Sequence, residues 1–544
     1  MRRAYPILFA LFPLFGMAAG NPGWYRLRSV FLVAAVAILA TVLLGAALTL
    51  LLRVRYTWSA AADRAALLTF IAVALFYTIE PLQIGPIKSW VRGHPVLDAL
   101  LLVLLAVLTV LTVRKRWYAR LPGLAAVSGY LALVGTLLCV WSVAHVLYFP
   151  ASSALAVHRS AFVDSLEQPV PLRARAGSNV RGPKRDVFVI VLDEYASSQV
   201  LRERFGYDNS RFIDSLRALG FRIPSALRSN YANTLLSVGS LVNFAPTGNI
   251  SSDAGRDSYD YGPASFLIEH NRAARFMKAQ GYRYVFFAST WYAPTRFSSE
   301  ADVDFDPYGQ FRLDRYIYRS EFLKFFIKAT VLDRLMPYLG DQNMVYRDHV
   351  VRTLDGVAGL EPTSQPTFAF VHVLMPHTPY VVDASCHAAA VPQHDRRSMG
   401  AQLTCLDSLV LHTVTTLLTK SRVPPIIVLE GDHGTHSLNI FASPIGVPPQ
   451  AAMAERFRPF GAYYLPDGGD TVMPDSTSIV NVMRYVFSYY FDADLPPLPN
   501  TMYYSHYHYP YRLTAIGSDF TPLGRYVASP VKASRASSSP DPAD

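Results

Sequence analysis

Apolar length is concentrated at one end of this chain, and that asymmetry restricts the fold more than any other feature. A helix needs roughly 20 apolar residues to cross a hydrocarbon layer. Within the first 150 of 544 residues, five stretches approach that length: 5–20, 30–52, 65–79 with its continuation to 85, 96–113 and 121–149. They predict an N-terminal bundle of about five transmembrane helices over residues 1–150. The first stretch is short, follows Arg2 and Arg3 and ends in small residues. It reads as an uncleaved span, with a cleaved signal peptide as the alternative.

The loops between these stretches orient the bundle. On one side lie Arg2, Arg3, Arg53, Arg55, Arg64, Arg114, Lys115, Arg116 and Arg120; on the other lie only Arg26, Arg28, Lys88 and Arg92. The more basic side faces the cytoplasm. With five spans, everything after residue 149 is then outside. The expected location is the inner or cell membrane, multi-pass, with an extracytoplasmic (periplasmic) globular domain. The net charge of +10 reads as a topology signal and an attraction to anionic lipid surfaces. No basic motif with interleaved aromatics argues for nucleic acid. Cys386 and Cys405 fall in the globular part, where a disulfide and two separate buried thiols are equally open readings.

Residues 151–185 are mixed and polar and read as a juxtamembrane linker, and residues 529–544 as a disordered tail. Between them, over 186–528, strand and helix patterns alternate. The runs at 186–192 (DVFVIVL), 282–288, 367–374 and 425–429 are continuously apolar, as strands buried on both faces are; 460–465 is a further candidate strand. Helical patterns occupy 209–219, 264–279, 400–418 and 476–491. This predicts an α/β domain with a mostly parallel sheet flanked by helices, whose ligands bind beyond the carboxyl ends of the strands.

Three of the apolar runs end in chemistry. The first runs into Asp193 and Glu194, the run at 425–429 into Glu430, Asp432 and His433, and the run at 367–374 into a loop carrying His377. Acids beside an apolar core are costly unless paired or bound to a cation. A mixture of Asp and His suits zinc or manganese better than calcium. Asp193 also fits a helix N-cap, and Glu430 reads as structural. The stretch SNYANTLLSVGSLVN at 229–243 sets Thr234, Ser237 and Ser240 in a helix-start setting. A hydroxyl there, next to a metal, is a candidate nucleophile toward phosphorus. His506 and His508 read as a surface segment, and as a second metal site only if they meet further ligands.

The order of these parts resembles that of the membrane-bound sulfatase-like hydrolases and transferases of the alkaline phosphatase superfamily, a group that includes phosphoethanolamine transferases and lipoteichoic acid synthases. The matching stretches are LDEY at 192–195, TLLSVGSLVN at 234–243, MPHTPY at 375–380 and GDHG at 431–434. The resemblance implies a divalent-metal site, one ion, zinc or manganese, held by Asp193, Thr234, Asp432 and His433, with Glu194 as a possible further ligand. It implies Thr234 as the nucleophile and His377 as a proton donor or substrate ligand. Arg296 in WYAPTR and His436 are candidate substrate contacts.

The implied activity moves a phospho-substituent from a membrane lipid donor to an envelope glycan or lipid acceptor through a Thr-linked intermediate. A sulfatase-like hydrolase or phosphodiesterase is the alternative, and a non-catalytic envelope scaffold the second. Sulfate-ester hydrolysis is disfavoured, because no C/S-x-P-x-R motif lies near residue 234.

Overall fold

The computed structural model describes residues 3–22, 25, 27–78, 103, 107, 110, 112, 124–173, 183–289, 295, 297–307, 320–335, 342–442 and 446–525. The chain divides into two compact units. One joins Met1–Ser152 to Arg312–Asp341; the other joins Ser153–Phe311 to Gln342–Asp544. The expected contiguous division at residue 150 contains no such return of residues 312–341 to the first unit.

In the first unit, α1 (Tyr5–Ala19), α2 (Leu27–Leu52) and α3 (Trp58–Thr78) pack on one another. Polar groups among them find partners: the Tyr77 hydroxyl donates to Ala10 O at 2.7 Å, and Arg3 pairs with Asp63 at 2.7 Å. α4 begins at Leu124 and runs to His158, well past the expected end at 149. The stretch expected at 96–113 lies largely outside the described residues, as does the continuation to 85. A short helix, Glu321–Lys328, is capped by Ser320, and its Phe322 ring sits 5.0 Å from that of Tyr25.

Among the described residues, four helices are long and apolar enough to cross a membrane by length and composition: α2, α3, α4 and α6 (Arg396–Lys420). α6 belongs to the second unit and covers its sheet, so its apolar face is core. At 15 residues, α1 is shorter than these.

The second unit is built on a six-stranded sheet. Its strands are β1 (Val187–Leu192), β2 (Arg283–Phe287), β3 (Val303–Phe305), β4 (Thr367–Val373), β5 (Ile426–Gly431) and β6 (Gly461–Tyr464), in the order β3-β2-β4-β1-β5-β6. All neighbours are parallel except β5 and β6. Every residue of β1 is buried. Phe188, Ile190 and Leu192 enter one core with Leu403, Leu406 and Val410 of α6. Val187, Val189 and Val191 enter the other with Val482, Met483 and Val486 of α7 (Ile479–Tyr490). Burying one such side chain stabilises by about 1.5–3 kcal/mol, so a strand apolar on both faces is fixed in the middle of the sheet.

Two helical expectations change. The pattern at 264–279 is two helices, Gly262–Glu269 and Arg272–Ala279, because Asn271 caps the second by accepting from Ala274 N at 2.7 Å. The pattern at 476–491 opens with a strand, Ser476–Ser478, paired to Ala226–Arg228. Cys386 and Cys405 form a disulfide.

Candidate active site

The register of the sheet assembles the site. Leu192 of β1 lies level with Val373 of β4 and with Gly431 of β5. The residues that follow these three therefore emerge at one edge. Gly431 permits the approach: a Cβ there would lie 2.3 Å from Tyr195 O. Gly434 does the same one turn later, where a Cβ would lie 2.1 Å from Glu455 O. The EGDHG run is thus spaced by main-chain contact.

Asp432 is pinned through one oxygen. Its Oδ1 accepts from Glu194 N at 3.1 Å and from its neighbour His433 N at 3.0 Å. Its carbonyl oxygen accepts from the hydroxyls of Ser229 and Ser237 at 2.9 and 2.5 Å. Among the described residues, Asp432 Oδ2, both oxygens of Asp193 and both ring nitrogens of His372 are buried without a hydrogen-bond partner. His372 Nε2 lies 3.6 Å from Asp193 Oδ2, just beyond hydrogen-bond reach. One ligand atom from each of Asp193, His372 and Asp432 falls within 4.8 Å of the others. Burial, then the Asp193 carboxylate, pushes Asp432 well above the usual carboxylate range. Two buried carboxylates in this position share a proton unless a cation neutralises them. Unsatisfied buried acids and an imidazole facing one point are the donor set of a divalent metal, and Asp with His fits zinc or manganese.

Thr234 reaches the same edge from α5 (Thr234–Asn243). Asn233 caps this helix, its side chain accepting from Leu236 N at 3.2 Å, which fixes Thr234 as the first helical residue. Thr234 Oγ1 stands 3.0 Å from His433 Nε2. His433 Nδ1 faces Gly434 O at 3.2 Å; donating there, the ring leaves Nε2 as an acceptor, 3.0 Å from Asp432 Oδ2. Arg456 Nη2 also donates to that nitrogen, at 2.9 Å. Burial first, then the Arg456 guanidinium, holds His433 well below its usual range, so the ring is neutral.

Glu194 forms a second cluster beside the first. Its backbone is left-handed at φ 66°, a conformation that costs a non-glycine residue roughly 1 kcal/mol or more. Its carboxylate accepts from Arg456 and lies 2.7 Å from His436 Nδ1 and 3.8 Å from His377 Nε2. Against the cost of burial, His377, His436 and Arg456 hold Glu194 well below the carboxylate range. In return Glu194 raises His436, favouring its cationic form. These two histidines open the site to solvent: their side chains are 14% and 34% exposed, against 1% or less for Asp193, Asp432 and His433.

Of the residues expected from sequence, Asp193 and Asp432 meet in one cluster with His372, His433 lies 3.0 Å from Asp432 and Thr234 3.0 Å from His433, and Glu194, His377 and His436 meet beside them. Arg296 lies outside the described residues. Among the described residues His506 meets no acid; its Nε2 faces Phe441 O at 3.0 Å. Glu430 is held by the Tyr463 hydroxyl at 2.7 Å, and burial pushes it up to about 8. Two residues escaped the sequence reading. His372 interrupts the apolar β4 run, a visible signal. Arg456 is fully buried and has no local signature.

A family model described as Sulfatase matches residues 185–481, which span β1 to β6 and include both clusters. None of the curated proteins compared with the chain matches it. Among solved structures, it is similar to the C-terminal periplasmic domain of EcEptC from Escherichia coli, at 12% identity, TM-score 0.42, covering 65% of this chain and 98% of that one. It is similar also to the integral membrane lipooligosaccharide phosphoethanolamine transferase A (EptA) from Neisseria meningitidis, at 12% identity, TM-score 0.40, covering 91% of this chain and 95% of that one. The family model, which spans more than half of the chain, carries the assignment: this protein belongs to the sulfatase family, within the alkaline phosphatase superfamily.

Proposed function

We propose that the chain is a membrane-anchored, metal-dependent phosphotransferase that moves a phospho-substituent from a lipid donor to a cell-envelope acceptor through Thr234. The observation that carries this reading is the Thr234 hydroxyl at a capped helix start, 3.0 Å from His433 Nε2 and beside the Asp193–His372–Asp432 cluster. Asp193, His372 and Asp432 would hold one divalent cation, zinc or manganese, with Thr234 and His433 at its edge. When bound, the ion neutralises the carboxylates and lowers the pKa of a nearby hydroxyl.

The chain's own residues supply the rest. Thr234 Oγ1 attacks phosphorus and its proton leaves toward the Asp432 carboxylate, which burial and Asp193 make the more basic of the two acids; the bond to the lipid alcohol breaks as His377 protonates that oxygen, a contribution of ~10²–10⁴-fold. His436, raised by Glu194 toward its cationic form, faces the phosphoryl oxygens. Arg456 fixes Glu194 and keeps His433 neutral. An acceptor hydroxyl then attacks the phospho-threonine and regenerates the alcohol. The apolar N-terminal helices keep the domain at a lipid surface. The distribution of basic loop residues and the Cys386–Cys405 disulfide support an extracytoplasmic, oxidising location.

The sulfatase-family match favours a second reading, in which water resolves the adduct and the enzyme is a hydrolase or phosphodiesterase. Intact-mass measurement after incubation with membrane lipid extract tests both. A mass increment mapped to Thr234, absent in Thr234→Ala, supports the covalent route. Its discharge by water as fast as by envelope glycans would select hydrolysis. No increment under any donor would remove the Thr-linked mechanism.

A further inference from the structure

A second concentration of charge lies away from the catalytic residues. A cleft of about 280 Å³ is lined by Arg202, Arg217, Arg228 and Arg458, with no Asp or Glu in its wall. Arg202 and Arg217 have exposed partners, Asp208 at 3.9 Å and Asp214 at 3.1 Å. Arg228 and Arg458 differ. Among the described residues neither has a carboxylate within ion-pair reach, and each lies over the same ring, Phe520, at 5.2 and 4.7 Å from its centroid. Arg228 spends one N–H on Leu227 O at 3.1 Å and leaves the remainder of its fork unassigned. Burial and the like charge of Arg458 pull its pKa down, as expected of two cations held together without a counter-ion. The wall also offers the hydroxyls of Ser197 and Ser198.

Guanidinium forks stacked on an aromatic ring are pre-organised and lose little freedom on binding. Two of them match the oxygens of a phosphate better than a single carboxylate, and hydroxyls beside them match a sugar. The volume is near the lower limit for small-molecule sites. We infer that this cleft is a binding site for a phosphorylated sugar, distinct from the catalytic cluster, with Arg228 and Arg458 gripping the phosphate. The chain couples the two places: Arg228 precedes Ser229, whose hydroxyl holds Asp432 O, and Arg458 lies two residues beyond Arg456. The inference does not depend on the reaction proposed above.

The test is calorimetric titration of glucose 1-phosphate into the full chain in detergent, on a Thr234→Ala background that removes turnover. Saturable binding is expected, weakened about tenfold by Arg228→Gln and about tenfold by Arg458→Gln. Arg222→Gln, which removes an exposed partner of Asp475 outside the cleft, leaves it unchanged. Arg458→Lys, which keeps the charge but loses the planar fork and its stacking on Phe520, weakens binding less than Arg458→Gln does. Parallel titrations use inorganic phosphate and phosphatidylcholine vesicles doped with phosphatidic acid. Glucose 1-phosphate binding most tightly supports the proposal. Vesicles alone binding would reassign the cleft to a lipid headgroup and overturn it. So would inorganic phosphate binding as tightly as the sugar phosphate, or an affinity insensitive to both arginine substitutions.

Discussion

Two buried carboxyl groups flank the turn after β1, and they are treated in opposite ways. Asp407, on α6, has both oxygens satisfied: Tyr195 donates to one at 2.7 Å and Tyr207 to the other at 2.9 Å. Asp193, two residues before Tyr195, has neither oxygen satisfied among the described residues. Desolvating a carboxyl group costs the same in both places. One location offsets it with hydrogen bonds from two tyrosines, the other with the nearby His372, His377 and His433, which hold Asp193 below the usual carboxylate range. The contrast separates a polar group that serves the fold from one that waits for something the polypeptide does not supply.

The sharpest way to break this contrast acts on the catalytic side. Thr234→Ala is expected to lower turnover by ~10³-fold or more while metal content, read by elemental analysis, stays as in the parent. Full turnover in that variant would remove the nucleophile. Next comes Arg456→Met, which strands Glu194 in the interior. We expect a loss of roughly 3–5 kcal/mol in denaturant unfolding, largely restored when Glu194→Gln is added. Additive losses in the double variant would mean the pair is not coupled.

A smaller effect bears most directly on the comparison. In chelator, Asp193→Asn should destabilise the protein by about 1–3 kcal/mol, because against the cost of burial His372, His377 and His433 hold the Asp193 carboxylate below the usual range and the amide loses that attraction. With metal present, the same substitution should abolish the ion's contribution to the melting temperature. Equal melting temperatures in chelator for parent and variant would mean that the three histidines do not offset its burial.

The mildest expectation concerns Asp407. Burial raises it from 3.8 to about 7. The folded chain therefore keeps a proton that the unfolded chain releases, so this group favours folding most below its unfolded pKa. That advantage fades as pH rises through the folded value near 7. Asp407→Asn should flatten the melting temperature across that window by roughly a few °C. An unchanged slope would assign the pH dependence elsewhere.

How far the sequence disclosed this site follows from where each signal sits. Asp193, Asp432 and His433 were legible because each closes a run of apolar residues that only a central strand accommodates. Thr234 was legible because asparagine before it and leucines after it mark a helix start. His372 stood in plain view as the polar residue of an apolar strand, but its neighbours on β1 become apparent only with the register. Arg456 had no such trace. Its partner Glu194 is 262 positions away in sequence, and nothing local distinguishes a buried arginine at a helix end from an exposed one. The return of residues 312–341 to the N-terminal unit was hidden for the same reason, since no composition shift marks it.

The glycine at 431 has an implication for how such a site can diversify. Main chain there touches main chain after β1, so the gap between the two buried acids Asp193 and Asp432 is set by peptide groups that mutation cannot trim or lengthen. Any methyl at that position pries the strands apart and dismantles the pocket as a whole. Substitutions that alter what this scaffold accepts, yet keep its inner geometry, are therefore confined to the partly exposed rim formed by His377 and His436.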